Sequence, residues 1–221
     1  MPYIILNNPP EKKGLTRIAR SIYFCPSALI KEFPEALAFH KRKIRKYRLQ
    51  QRRKRVGYIL IWYHIEKNAE RNRKIMNRMI SRSLGFPLGP SLYAFPYIQY
   101  PREAPFISPQ KIYSRAHQLG ITISKMAVLT PLGKTKERMK EHAERYIRRR
   151  YEQMIRRILK ANTCSRKTKS EIKQDFKKLK QKAKMLSVIL SIDVTNLERK
   201  TYTILHKWMK VGQTPEAIKA I

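Results

Sequence analysis

Tyr58-Ile-Leu-Ile-Trp-Tyr-His-Ile65 is the longest strongly apolar run in the chain, and the fold class turns on whether it is helix or strand. At eight residues it falls well short of the ~20 that a bilayer-spanning helix requires. Short apolar runs suit helix or strand. Tyr, Ile and Trp fit a short buried strand, whereas apolar residues continuing through Met76, Met79 and Ile80 to a stop at Gly85-Phe-Pro87 fit a helix. The continuation favours helix, and with it a long basic helical region over 34–84. Pro34 suits the first turn of that region, and Gly57 is where it could bend. Unbroken, residues 35–83 would extend roughly 70 Å.

Just upstream, Lys41-Arg-Lys-Ile-Arg-Lys-Tyr-Arg-Leu-Gln-Gln-Arg-Arg-Lys-Arg55 holds ten basic residues in 15 and no acid. At about 100° per residue, cations then occupy every face of a helix, so it cannot lie in a protein core. Solvation alone does not relieve so many like charges, whereas a polyanion does. Lys41, Arg42, Arg45, Lys46, Arg48, Arg52, Arg53 and Arg55 are therefore candidate RNA-binding residues. Arginine predominates, and its planar fork suits phosphates and base edges.

The whole chain of 221 residues carries 50 Lys and Arg against 15 Asp and Glu, a net charge of +35. A free domain so charged repels itself, which argues against an ordinary metabolic enzyme. Hydrophobic residues make up 42%, too many for a disordered basic tail. The charge falls in two blocks, +10 over 41–56 and +14 over 134–184. Proline is complementary: seven of 13 lie between Pro87 and Pro131, and none in 35–86 or 132–214.

In the second block, a helix over 138–161 places Ala143, Tyr146, Ile147, Met154 and Ile158 on one face. Arg138, Arg145, Arg149, Arg156 and Lys160 form a separate ridge, while Glu137, Glu141, Glu144 and Glu152 lie on a third face. Such segregation is expected where one face meets phosphates. Arg150 and Arg157 intrude on the apolar stripe and join the candidates. Thr168-Lys-Ser-Glu171 is a capping box, after which Ile172, Phe176, Leu179, Ala183, Leu186 and Leu190 make a heptad seam. An antiparallel helical hairpin over 134–192 follows. A second box, Thr195-Asn-Leu-Glu198, opens C-terminal helices over 193–221 carrying Leu197, Ile204, Leu205, Trp208 and Met209, which pack on the hairpin or on a neighbouring protein.

Residues 85–133 begin with too many prolines for a helix or a central strand. They predict an extended arm whose Tyr93, Phe95, Tyr97 and Tyr100 stack on bases or pack on protein, followed by a helix from Ser108-Pro109 to Gly120. With an N-terminal extension over 1–33, the fold class expected is mainly α: long basic helices, an antiparallel hairpin and a proline-rich arm.

Motifs of catalysis or cofactor binding are incomplete in the same residues. Gly133-Lys134-Thr135 precedes a helix in the manner of a phosphate-binding loop, but that motif needs glycine at 128, where Val128 stands. Lys134 remains a candidate for seating one RNA phosphate at a helix start. His40, His64, His117, His142 and His206 are scattered singly, and Cys25 and Cys164 have no nearby partner cysteine. Neither a metal site, a cofactor nor an enzyme is expected. Asn7, Asn8, Pro9 and Pro10 interrupt any secretory apolar stretch, while Lys12, Lys13, Arg17 and Arg20 against Glu11 are compatible with mitochondrial import.

In composition and layout the chain resembles a ribosomal protein, and lineage-specific proteins of this composition are characteristic of mitochondrial ribosomes. The resemblance implies a structural role in the mitochondrial matrix, with a cytoplasmic or nucleolar site as alternative. The partners implied are rRNA and neighbouring ribosomal proteins, without a small-molecule substrate or membrane insertion. An RNA-processing or nucleic-acid-packaging factor, or a basic subunit of a membrane-associated complex, would share the electrostatics.

Overall fold

The run at 58–65 forms a strand, Tyr58–His64, and the fold is mixed α/β where a mainly α one was expected. A computed structural model describes residues 2–6, 14–19, 21–41, 45–48, 56–100, 105–161 and 166–211. They fall into two units, Met1–His142 and Ala143–Ile221.

The first unit is built on an eight-stranded antiparallel sheet. Its strands are β1 (Pro2–Ile5), β2 (Thr16–Ala19), β3 (Ile22–Phe24), β4 (Leu37–Lys41), β5 (Tyr58–His64), β6 (Phe86–Gly89), β7 (Leu92–Pro96) and β8 (Thr122–Pro131), in the order β2-β3-β1-β4-β8-β5-β7-β6. Two helices, α1 (Glu70–Ser81) and α2 (Pro109–Gln118), cover part of one face. There Ile61, Tyr63 and Phe95 pack with Met76, Ile80, Ile112 and Ala116. The alternate residues Tyr58, Leu60 and Ala94 are equally buried. A strand closed on both faces reads as a continuous apolar run without period-two alternation, which is why sequence pattern favoured the wrong element.

β8 joins the two halves of the sheet. Between Met126, opposite Leu60, and Leu129, opposite Tyr58, two residues of β8 face the single Ile59. Val128 in this bulge has φ +31°, a conformation costly for a β-branched residue. Bulges bend a strand, and beyond this one β8 pairs with β4, Phe39 opposite Pro131 and His40 opposite Thr130.

These strands replace the long rod expected over 34–84. Within that region, the described residues are helical only in α1. Tyr47 is extended and bridges Ile98, its N–H donating to the Tyr97 carbonyl at 2.9 Å. The expected arm is a β6–β7 hairpin at the sheet edge. Pro87 is tolerated in the edge strand β6, and Pro96 ends β7. Phe86 and Phe95 are buried, and a Cβ at Gly85 would collide with the Phe95 ring. Residues 1–33 contribute β1 to β3 and a small core of Ile4, Tyr23, Cys25 and Phe33. α2 begins as its sequence indicates, with Ser108 Oγ accepting from Lys111 N–H at 3.3 Å and Pro109 in the first turn.

α3 (Thr135–Lys160) starts in the first unit, where Thr135 Oγ1 accepts from Ala38 N–H at 2.9 Å. The second unit holds the rest of α3, with α4 (Arg166–Leu190) and α5 (Thr195–Val211). All six heptad-seam residues of α4 are buried. Tyr146 meets Lys182 and Arg157 meets Asp175, so α3 and α4 run antiparallel. On α3 the buried stripe comprises Ala143, Ile147, Tyr151, Met154 and Ile158; Tyr151 was not anticipated, and Tyr146 is half-buried at its margin. α4 starts two residues before the Thr168 box. Asp193 Oδ1 accepts from Thr195 N–H at 2.9 Å at the start of α5, and Trp208 Nε1 donates to the Ala161 carbonyl at 3.0 Å.

Candidate nucleic-acid interface

Opposite its buried stripe, the second-unit part of α3 exposes Arg145, Arg149, Arg156 and Lys160. Residues at these spacings fall within about 60° of one another around a helix, so burying one face pushes the other into solvent. Arg149, Arg156 and Lys160 have no carboxylate partner among the described residues. They span about 16 Å along the axis. Arg156 and Lys160 also line a shallow groove with Gln153, Arg157 and Ala161. Cations in this last turn are favoured by the helix dipole.

The other α3 candidates are differently employed. Arg157 Nη1 lies 2.6 Å from Asp175 Oδ2, which neutralises it, and Arg150 reaches Gln153 at 3.5 Å. Arg138, in the first unit, is half-buried and donates to the Ala36 carbonyl at 3.2 Å, a role in holding the chain. Lys134 is exposed in the turn before α3, where Gly133 has φ +48°.

In the first basic block, Lys41 is exposed at the end of β4, and Arg45, Lys46 and Arg48 are exposed around Tyr47. Lys46 Nζ lies 6.0 Å from the Tyr97 ring centroid. Arg42, Arg52, Arg53 and Arg55 lie outside the described residues. The four arm aromatics pack largely within the protein. Phe95 is buried, and Tyr93 is half-buried and stacks on Tyr63 at 5.9 Å and 4°. Tyr97 is half-buried, and the Tyr100 hydroxyl is buried without a hydrogen-bond partner among the described residues.

Two features escaped the sequence reading. On α1 and its C-cap, Arg71, Arg78 and Arg82 are exposed and have no carboxylate partner among the described residues. Their spacings of seven and four put them within about 40° of one another, opposite buried Met76 and Ile80. That spacing was visible, but assigning the segment to a continuous rod hid its face. Lys74 pairs with Glu70 at 2.8 Å, and Arg73 donates to the Glu66 and Lys67 carbonyls. The second feature is Lys182, buried with Nζ 3.0 Å from the Tyr146 hydroxyl and 4.6 Å from its ring centroid. Burial, then the neighbouring Arg150, hold this amine well below the usual lysine range.

Among the described residues, no group of three or more His, Cys, Asp and Glu is placed to hold a metal ion. No described helix is long and apolar enough to cross a membrane. The buried Cys25 thiol is pushed up by burial and by Glu32. No protein-family model, curated protein or solved structure matches the chain.

Proposed function

We propose that the chain is a structural, non-catalytic rRNA-binding component of a ribosome. The observation that carries this reading is the row Arg149, Arg156 and Lys160 on α3, exposed opposite a buried stripe and without carboxylate partners among the described residues. Exposed, unneutralised arginines at helical spacing suit a phosphate backbone. The α1 row, Arg71, Arg78 and Arg82, offers the same chemistry in the first unit. Mitochondrial placement follows from the compositional resemblance, and neighbouring ribosomal proteins complete the setting.

Sedimentation tests the reading: a low-salt lysate of the native source is fractionated on a sucrose gradient before and after RNase. The expected result is co-migration with a ribosomal subunit, lost on RNase treatment or at high salt. Recovery in a light or membrane fraction indifferent to RNase would overturn it.

A further inference from the structure

We infer that the second unit presents a stacking platform for unpaired RNA bases, centred on Tyr202 and His206 of α5; this rests on the RNA-binding reading and adds the class of RNA segment. Tyr202 is 55% exposed, an unusual position for so large a ring. It stacks on His206, centroids 5.8 Å apart at 26°, and lies 6.3 Å from Phe176 at 35°. Phe176 is buried and meets the fully buried Tyr151 edge-on at 6.4 Å. The exposed pair is therefore supported from below by core aromatics and needs little ordering on binding, which favours a flat ligand.

The surrounding charge specifies that ligand. Lys180 Nζ lies 2.7 Å from Glu198 Oε1, which neutralises the carboxylate one turn before Tyr202. Lys169 Nζ lies 5.7 Å from the Trp208 ring centroid, and Lys173 and Lys177 are exposed on α4. The pairs Lys180–Glu198, Phe176–Tyr202 and Lys169–Trp208 set the α4–α5 register, which brings Lys173 opposite the turn of His206. Ring faces bordered by cations match a nucleotide, which carries a π-face and a phosphate. A duplex keeps its bases stacked and offers phosphates and 2′-hydroxyls along its length, with its base faces covered.

The test uses the full chain, a short oligouridylate carrying one 2-aminopurine, and a blunt RNA duplex as control. Wild type should bind the single strand and quench the 2-aminopurine. Tyr202→Leu, which keeps an apolar cover on Phe176, should weaken single-strand binding roughly 5- to 100-fold and relieve quenching, with duplex binding unchanged. Tyr202→Phe should behave as wild type. Unchanged affinity and quenching in Tyr202→Leu would overturn the platform alone, provided Gln at Arg149, Arg156 and Lys160 still weakens duplex binding. Failure of wild type to bind either RNA would overturn the RNA-binding reading as well. Displacement of the single strand by oligoglutamate at equal charge concentration would overturn the platform in favour of an acidic protein partner.

Discussion

The two units raise cationic rows on different foundations. Arg71, Arg78 and Arg82 of the first unit stand on a short helix above an apolar core assembled from strands far apart in sequence. Arg149, Arg156 and Lys160 of the second stand on a long helix backed by its sequence neighbour α4, where the buried residues include the Lys182 amine and the Tyr151 hydroxyl. The first foundation takes its stability from close packing. Both units hold buried polar atoms without a hydrogen-bond partner among the described residues, Trp62 Nε1, Tyr100 Oη and Thr130 Oγ1 in the first and Tyr151 Oη in the second; what sets the second apart is a buried amine, Lys182. Charge display does not require one kind of scaffold, but its tolerance to substitution and pH depends on which kind lies beneath.

The largest expected effect separates the two cores. Phe95→Ala should destabilise the protein by ~3–5 kcal/mol, the usual cost of emptying a buried aromatic site. Tyr151→Phe, which removes only a hydroxyl without a partner among the described residues, should be neutral or stabilise by up to ~1 kcal/mol. Urea unfolding measures both, and a loss in Tyr151→Phe comparable to that in Phe95→Ala would remove the contrast.

RNA binding comes next. Glutamine at Arg71, Arg78 and Arg82, or at Arg149, Arg156 and Lys160, should flatten the log–log salt dependence by up to ~0.7–0.9 for each phosphate that is no longer neutralised. Filter binding across a salt series reads the slope. If only one triple changes it, only that row touches RNA.

Lys182→Met should stabilise the protein by ~1 kcal/mol or more, because a desolvated amine is replaced by an apolar side chain of similar length. The sign of its pH dependence follows from proton counting. With its pKa lowered in the folded state, Lys182 binds fewer protons there than in the unfolded chain, so its contribution to stability grows as pH rises toward the ordinary 10.5. Raised tyrosine pKa values act oppositely, but only beyond pH ~10. Below pH ~10 the advantage of the methionine variant should therefore shrink as pH rises; a constant difference would mean that Lys182 does not titrate in this window.

The smallest effect is expected at Asp193, whose carboxyl is held below its usual range by the Thr195 backbone N–H, then by the Thr195 hydroxyl. Asp193→Ala should fray the start of α5 near neutral pH. Because the lowered pKa makes this contribution available above the unfolded value and lost in acid, variant and wild type should converge as pH falls through the carboxylate range. Melting by far-UV circular dichroism checks the convergence.

Legibility from sequence divides along the same line as stability. The row on α3 was readable because its four exposed members lie on one helix, so the 3.6-residue period alone places them together. Arg71, Arg78 and Arg82 have equally regular spacing, but seeing it required knowing that a helix begins near Glu70 and not near Pro34. Lys182 lies between the seam residues Leu179 and Ala183 of a lysine-rich helix, and its burial beside Tyr146 distinguishes it from its exposed neighbours.

Sequence alone determined the excess of positive charge, the Ser108-Pro109 helix start, the buried seam of α4 and, Arg138 excepted, the outward ridge of α3. All but the first are local, because capping and helical periodicity act within a few turns. Tertiary structure decided that Leu37–Lys41, Tyr58–His64 and Leu92–Pro96 are strands. A strand's hydrogen-bonding partners come from elsewhere in the chain. β5 lies between β7 and β8, and because both its faces are buried, its sequence lacks the alternation that would have announced it.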